Sequence, residues 1–183
     1  MPVQKFARPK ILSPTSQAGA IGETLIPADL YFVSKTPSVI IGMAYPARLD
    51  FARLATTGVG HIVCLTDHEF ARYDASPIRV TAIQLQDLWT AKLPADVELE
   101  TERVNTAATA VVDSVLAGEG VAVHCHGGRG RTGTVLGVAL VRLGHDPTAI
   151  VDYLNALHKW RSKAGWPEST WQAEVVMAAS SAP

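Results

Sequence analysis

The residues Val121-Ala122-Val123-His124-Cys125-His126-Gly127-Gly128-Arg129-Gly130-Arg131-Thr132-Gly133-Thr134 constrain this chain more than any others. An apolar run halts at a cysteine, passes through glycines and resumes as Val135-Leu136-Gly137-Val138-Ala139-Leu140-Val141, which reads as buried strand, tight loop and buried helix. The loop therefore lies at the carboxyl end of a strand and the amino end of a helix. Backbone N–H groups and the positive end of the helix dipole converge there, a geometry that suits a dianionic phosphate.

The side chains in this loop agree with that anion. N–H donors, a helix N-terminus and nearby arginines favour the thiolate form of Cys125 over the thiol. Arg131 follows after five residues, so a loop curling around phosphate brings its guanidinium opposite the sulfur as a two-pronged clamp. Gly127, Gly128 and Gly130 permit the positive φ values and close backbone approach that such a cradle needs. Nucleophile, clamp and hinge together describe a phosphoryl-transfer site. Residues 128–133 also satisfy G-x-G-x-x-G, but a dinucleotide fold needs a second strand after the helix, and 147–160 reads as another helix. A nucleotide-binding P-loop needs Gly-Lys, and Arg131 follows Gly130. His124, Cys125 and His126 alternate in direction with no second cluster of ligands, so neither a metal nor a cofactor is expected.

At these residues the chain resembles the cysteine-dependent protein tyrosine phosphatases, of the dual-specificity-like type, whose signature is His-Cys, five residues, Arg, then Ser or Thr. Here that is His124, Cys125, Arg131 and Thr132. The resemblance implies that Cys125 forms a phosphocysteine, that Arg131 binds phosphate, that the Thr132 hydroxyl helps the thiolate leave, and that His124 supports the loop. It also implies a general acid on another loop, an aspartate after the strand that precedes the long helix. Asp87, following Ile83-Gln84-Leu85-Gln86, fits that place, with Leu88-Trp89 as an apolar lid; Asp96 is its rival, although Pro94-Ala95-Asp96 is also an N-cap signal. Ser169-Thr170-Trp171-Gln172 resembles the segment that holds a water-positioning glutamine, which makes Gln172 a candidate, with Trp160, Trp166 and Trp171 as pocket walls.

The remainder of the chain reads as one α/β domain with a mostly parallel central sheet flanked by helices on both faces. Residues 1–23, rich in Pro, Ser, Gly and Ala, read as a flexible tail, and 24–183 as the catalytic domain. Strands are expected at 26–33, 38–41, 61–65, 79–85 and 121–124. Helices are expected at 48–57, starting at Pro46, at 97–116, from the loop to Leu143, at 147–160, and from Ser169 with Val175, Val176 and Met177 inward. Cys64 reads as a small core residue, although a reversible disulfide with Cys125 stays open.

Sixteen basic against seventeen acidic residues give no global field, so no nucleic-acid or membrane partner is expected. No apolar run is long enough to span a membrane. With only two cysteines, one better explained as a nucleophile, a reducing cytoplasmic location and a monomer are the expectations. The leading substrates are phosphotyrosine, with or without phosphoserine and phosphothreonine, on proteins. His126 and Arg129 add cationic capacity to the loop, which makes phosphoinositides or inositol phosphates the alternative class; a non-catalytic phosphate-binding module is the third.

Overall fold

The structure is a computed structural model that describes residues 7–16, 30–67 and 73–180. Its five strands are β1 (Leu30–Ser34), β2 (Ile40–Met43), β3 (Val59–Cys64), β4 (Arg79–Ala82) and β5 (Gly120–His124), in the spatial order β1-β2-β5-β3-β4. Only the β1–β2 pair is antiparallel, so the expected mostly parallel sheet is present. The cysteine-bearing strand is the central one, paired through Met43 with His124 on one side and Cys64 with His124 on the other. Because β5 is covered on both faces, its residues are all buried and it lacks polar alternation.

The helices are α1 (Phe51–Thr56), α2 (Val97–Leu116), α3 (Gly130–Arg142), α4 (Pro147–Trp160) and α5 (Thr170–Ala178). One core joins Tyr31, Val63, Val121 and Val123 of the sheet to Val104, Val111, Leu136, Leu140, Leu154 and Val176 of α2 to α5. The other face is closed by α1 and the segment around Ala75 and Ile78, against Phe32, Ile41, Ile62 and Ala122. Burial of these branched side chains, each about 1.5–3 kcal/mol, fixes the orientation of β5 and so the direction of the loop that leaves it.

Several expected boundaries shift for identifiable reasons. α2 and α4 lie where their apolar periodicity places them, but the first helix starts at Phe51 instead of Pro46, because the Asp50 carboxylate accepts from Arg53 N at 3.0 Å and caps it there. β1 and β2 each end beyond the expected 33 and 41; residues 26–29, and most of the expected tail, lie outside the described residues. β4 stops at Ala82, yet Ile83 N and Leu85 N still donate to Cys64 O and Leu65 O, so the chain continues along the sheet edge without full ladder pairing. On α5, Val176 is buried, Val175 is only half-buried and Met177 is exposed, which corrects the expected inward trio.

Candidate active site

β5 delivers Cys125 into the sheet's carboxyl end at 3 % exposure, and the chain then turns into α3. The helix begins at Gly130, earlier than its apolar run suggests, so Arg131 and Thr132 occupy its first turn. Gly128 makes the turn possible. Its φ is +63°, and a Cβ there would meet Met43 C and Ala44 N at 2.5 Å. Gly130 serves a different purpose, since its missing Cβ leaves room for the Glu168 carboxylate and the Gln172 amide. Gly127, expected to share these duties, does not take a left-handed φ and has open space where a Cβ would point.

The loop is braced from behind. Tyr45 N donates to His126 O at 3.0 Å, tying the loop to the chain that leaves β2. His124 is fully buried, with its Nε2 2.6 Å from the Tyr73 hydroxyl, and Tyr73 stacks on Phe51 of α1 at 5.1 Å. Desolvation, and secondarily the Arg131 charge, lower the His124 pKa to about 4, so the ring is neutral. The contact between Nδ1 and Cys125 O then assigns the proton to Nδ1 and makes Nε2 the acceptor for Tyr73. Trp166 braces the other side, packing over Gly133 and donating from Nε1 to Gly130 O at 3.2 Å.

Asp87, Trp89, Cys125, Arg129, Arg131 and Glu168 line one cleft of about 430 Å³, together with His126, Gly127, Gly130 and Lys163. Arg131 Nη2 donates to Asp87 Oδ2 at 2.6 Å and its Nη1 to Leu85 O at 3.3 Å. Asp87 Oδ1 also accepts from Trp89 N at 3.0 Å. The Asp87 loop is held by Gln86, whose N donates to the buried Glu100 carboxylate and whose Oε1 accepts from Ala95 N. Burial pushes the Glu100 carboxyl up from its ordinary pKa. Leu88, expected in a lid, is instead 1 % exposed and anchors the loop in the core, while Trp89 is exposed beside the cleft. Asp96 accepts from Leu99 N at 3.0 Å as the N-cap of α2 and does not line the cleft.

Three further expectations need correction or qualification. Gln172 is buried at 1 % exposure, outside the cleft lining, and its Oε1 accepts from Glu168 N at 2.8 Å and Ser169 N as half of a capping box. Its Oε1 is committed to the backbone, while its Nε2 lies against the bare Cα of Gly130. Trp166 and Trp171 are buried packing residues and Trp160 is part-exposed elsewhere; the wall of the cleft is Trp89. Arg129, expected as a surplus cation, is ion-paired with Glu168 at 2.8 Å and lies 5.0 Å over the Trp89 ring. Thr132 is fully buried, and its Oγ1 has no hydrogen-bond partner among the described residues. Glu168 was not singled out from sequence, and the glycine at 130 was its only local trace.

A larger but shallower groove of about 540 Å³ runs along α2 past Glu98, Thr101 and Asn105, and it holds no nucleophile. Among the described residues no group of His, Cys, Asp and Glu is arranged to hold a metal ion, and no helix is long and apolar enough to cross a membrane.

Residues 31–179 match the family model described as "Swiss Army Knife protein, DSP-PTPase phosphatase domain". No curated protein matches the chain in sequence. Solved structures share the fold at low identity. Tk-PTP in its active form is 23 % identical with a TM-score of 0.54, over 75 % of this chain and 88 % of that one. TpbA of P. aeruginosa is 19 % identical with a TM-score of 0.54, over 81 % and 84 %. Kinase associated phosphatase is 16 % identical with a TM-score of 0.59, over 84 % and 93 %. With its matched region reaching from β1 to the end of α5, the chain belongs to the dual-specificity-like branch of the cysteine-dependent protein tyrosine phosphatases.

Proposed function

We propose that this cleft hydrolyses phosphomonoesters in two steps through Cys125, with phosphotyrosine on proteins as the leading substrate. The observation that carries the reading is the convergence of Cys125 and Arg131, from one loop, with Asp87, from a distant segment, on one cleft. Phosphate sits at the N-terminus of α3, held by loop N–H groups and Arg131, which exchanges Asp87 for two phosphate oxygens. The Cys125 sulfur attacks phosphorus and the P–O ester bond breaks, while Asp87 gives its proton to the leaving oxygen. Water then attacks the phosphocysteine, Asp87 takes a proton back, and the S–P bond breaks with Thr132 Oγ1 donating to the departing thiolate. That role suits a buried hydroxyl with no other partner.

Trp89 offers an aromatic wall for a phosphotyrosyl ring, and His126, Gly127, Arg129 and Gly130 shape the cradle around the turn at Gly128. The inositide alternative rested on His126 and Arg129 as added cationic capacity, and the Glu168 pair takes up the Arg129 half of it. A purely binding role leaves the meeting of Asp87 with Cys125 unexplained. The reading carries a reducing, cytoplasmic location with it, because the mechanism needs Cys125 as a thiol or thiolate.

Cys125→Ser tests the mechanism. It removes turnover of an aryl phosphate while phosphate still binds, since the N–H cradle and Arg131 remain. Turnover near the wild-type rate in this variant would sink the phosphocysteine route.

A further inference from the structure

The strongest unassigned feature of the cleft is the carboxylate of Glu168. It is not a surface charge. Its side chain and that of Arg129 are each 12 % exposed, and the 2.8 Å contact from Arg129 Nε makes the pair a desolvated, charge-assisted one. Its position is over-determined, because Gln172 Oε1 takes the Glu168 backbone N–H at 2.8 Å and the bare Gly130 Cα makes room for the carboxylate itself. A negative group is thereby fixed beside the first residue of α3, at the end of the helix where an anionic ligand is favoured. A second brace holds its partner, since the Arg129 guanidinium lies over Trp89.

The charge balance follows directly. Arg129, Arg131 and Lys163 supply three positive charges to the cleft lining, and Asp87 and Glu168 supply two negative ones. Phosphate binding at Cys125 draws Arg131 away from Asp87, which the reaction then needs as an acid. Arg129 has no equivalent release, because its carboxylate partner takes no part in the chemistry. A second phosphate approaching Arg129 therefore meets a cation already neutralised by the carboxylate fixed next to it.

We propose that Glu168 is a specificity-determining residue that restricts the cleft to substrates carrying one phosphate and discriminates against those with a second phosphate nearby. This rests on the phosphatase reading above. In that reading Arg129 is a brace for the loop and Glu168 is the device that cancels its charge.

The test compares kcat/KM for a singly phosphorylated tyrosine peptide and for the same peptide with a phosphothreonine two residues away, at low and high salt. In Glu168→Gln, which keeps the shape and an acceptor for Arg129, the ratio of doubly to singly phosphorylated turnover rises about tenfold at low salt, as expected for one unit charge acting across about 8 Å of partly wet cleft. The gain shrinks at high salt. It disappears in the double variant with Arg129→Gln, because the unmasked cation is then gone. A ratio that stays at the wild-type value in Glu168→Gln, or an equal loss on both peptides at either salt concentration, overturns the proposal and leaves Glu168 a structural brace. No turnover of either peptide by the wild-type protein would instead overturn the phosphatase reading, so the two failures are distinct.

Discussion

Gly128→Ala provides the most demanding check on the geometry of the loop. At φ +63° an alanine pays a steric cost of about 1–2 kcal/mol that glycine does not. Its Cβ would also sit 2.5 Å from Met43 C and Ala44 N, about 0.9 Å inside the ordinary contact distance. The neighbour cannot give way cheaply, because Met43 ends β2 and is paired with His124 in the sheet. The loop must therefore move away from β2 by about 1 Å, carrying Cys125 and Arg131 with it. Summed, the strain and overlap destabilise the fold by roughly 2–4 kcal/mol. A misplacement of about 1 Å at reacting groups costs on the order of 100-fold in rate.

The measurements are urea denaturation and kcat/KM on a small aryl phosphate. Gly127→Ala is the matched control for stability, since a Cβ there points into open space, and it should fold within about 0.5 kcal/mol of the wild type. If Gly128→Ala matches the wild type in both stability and rate, the loop does not press against β2 as described. Equal destabilisation by the two alanines would show that loss of glycine freedom alone, and not the approach to Met43 and Ala44, sets the effect.

Two other outcomes follow from the site and the core. Asp87→Asn slows hydrolysis of esters with poor leaving groups by about 100-fold more than those with good ones, whereas Asp96→Asn or Asp96→Ala loses no more than about 1 kcal/mol of stability through the α2 cap and shows no leaving-group dependence; a Brønsted series on both variants decides between them, and leaving-group dependence in the Asp96 variants alone reverses the assignment. Burial lowers the pKa of His61 and His124 to about 4 and of His158 to about 3, so each binds a proton more readily unfolded than folded, and the stability they preserve above about pH 6.5 is lost as pH falls toward 4, by about 1.4 kcal/mol per pH unit for each; denaturation curves that do not move between pH 6.5 and 4.5 would contradict this.

What could be read from sequence tracks how local the physical signal is. Helices α2 and α4 repeat an apolar face over several turns, and the sequence reading matched both of their ends. Strand β5 and its loop were legible because burial on both faces, the cysteine and the glycines are adjacent in the chain. The first helix was misplaced because a side-chain cap, Asp50 to Arg53 N, outweighed the proline signal four residues earlier. Gln172 carries a related ambiguity, since a glutamine three residues after a serine serves a capping box as readily as a reaction, and in the fold its Oε1 caps α5 while its Nε2 faces Gly130.

The electrostatics of the cleft lay beyond any local pattern. Arg131 pairs with Asp87 across 44 residues and Arg129 with Glu168 across 39. From sequence Arg129 was a positive charge in a phosphate loop, and the inference to multiply charged substrates followed from counting it together with His126. The carboxylate that cancels it lies in the coil between α4 and α5, where no periodicity marks a residue as inward-facing. Gly130 carried the remaining information, but ambiguously: a missing Cβ signals a close approach without saying what approaches. Here it is a carboxylate, held beside a helix N-terminus where a phosphate would also be welcome. The selectivity of such a loop therefore depends less on how many arginines it contains than on which of them the rest of the chain has already neutralised.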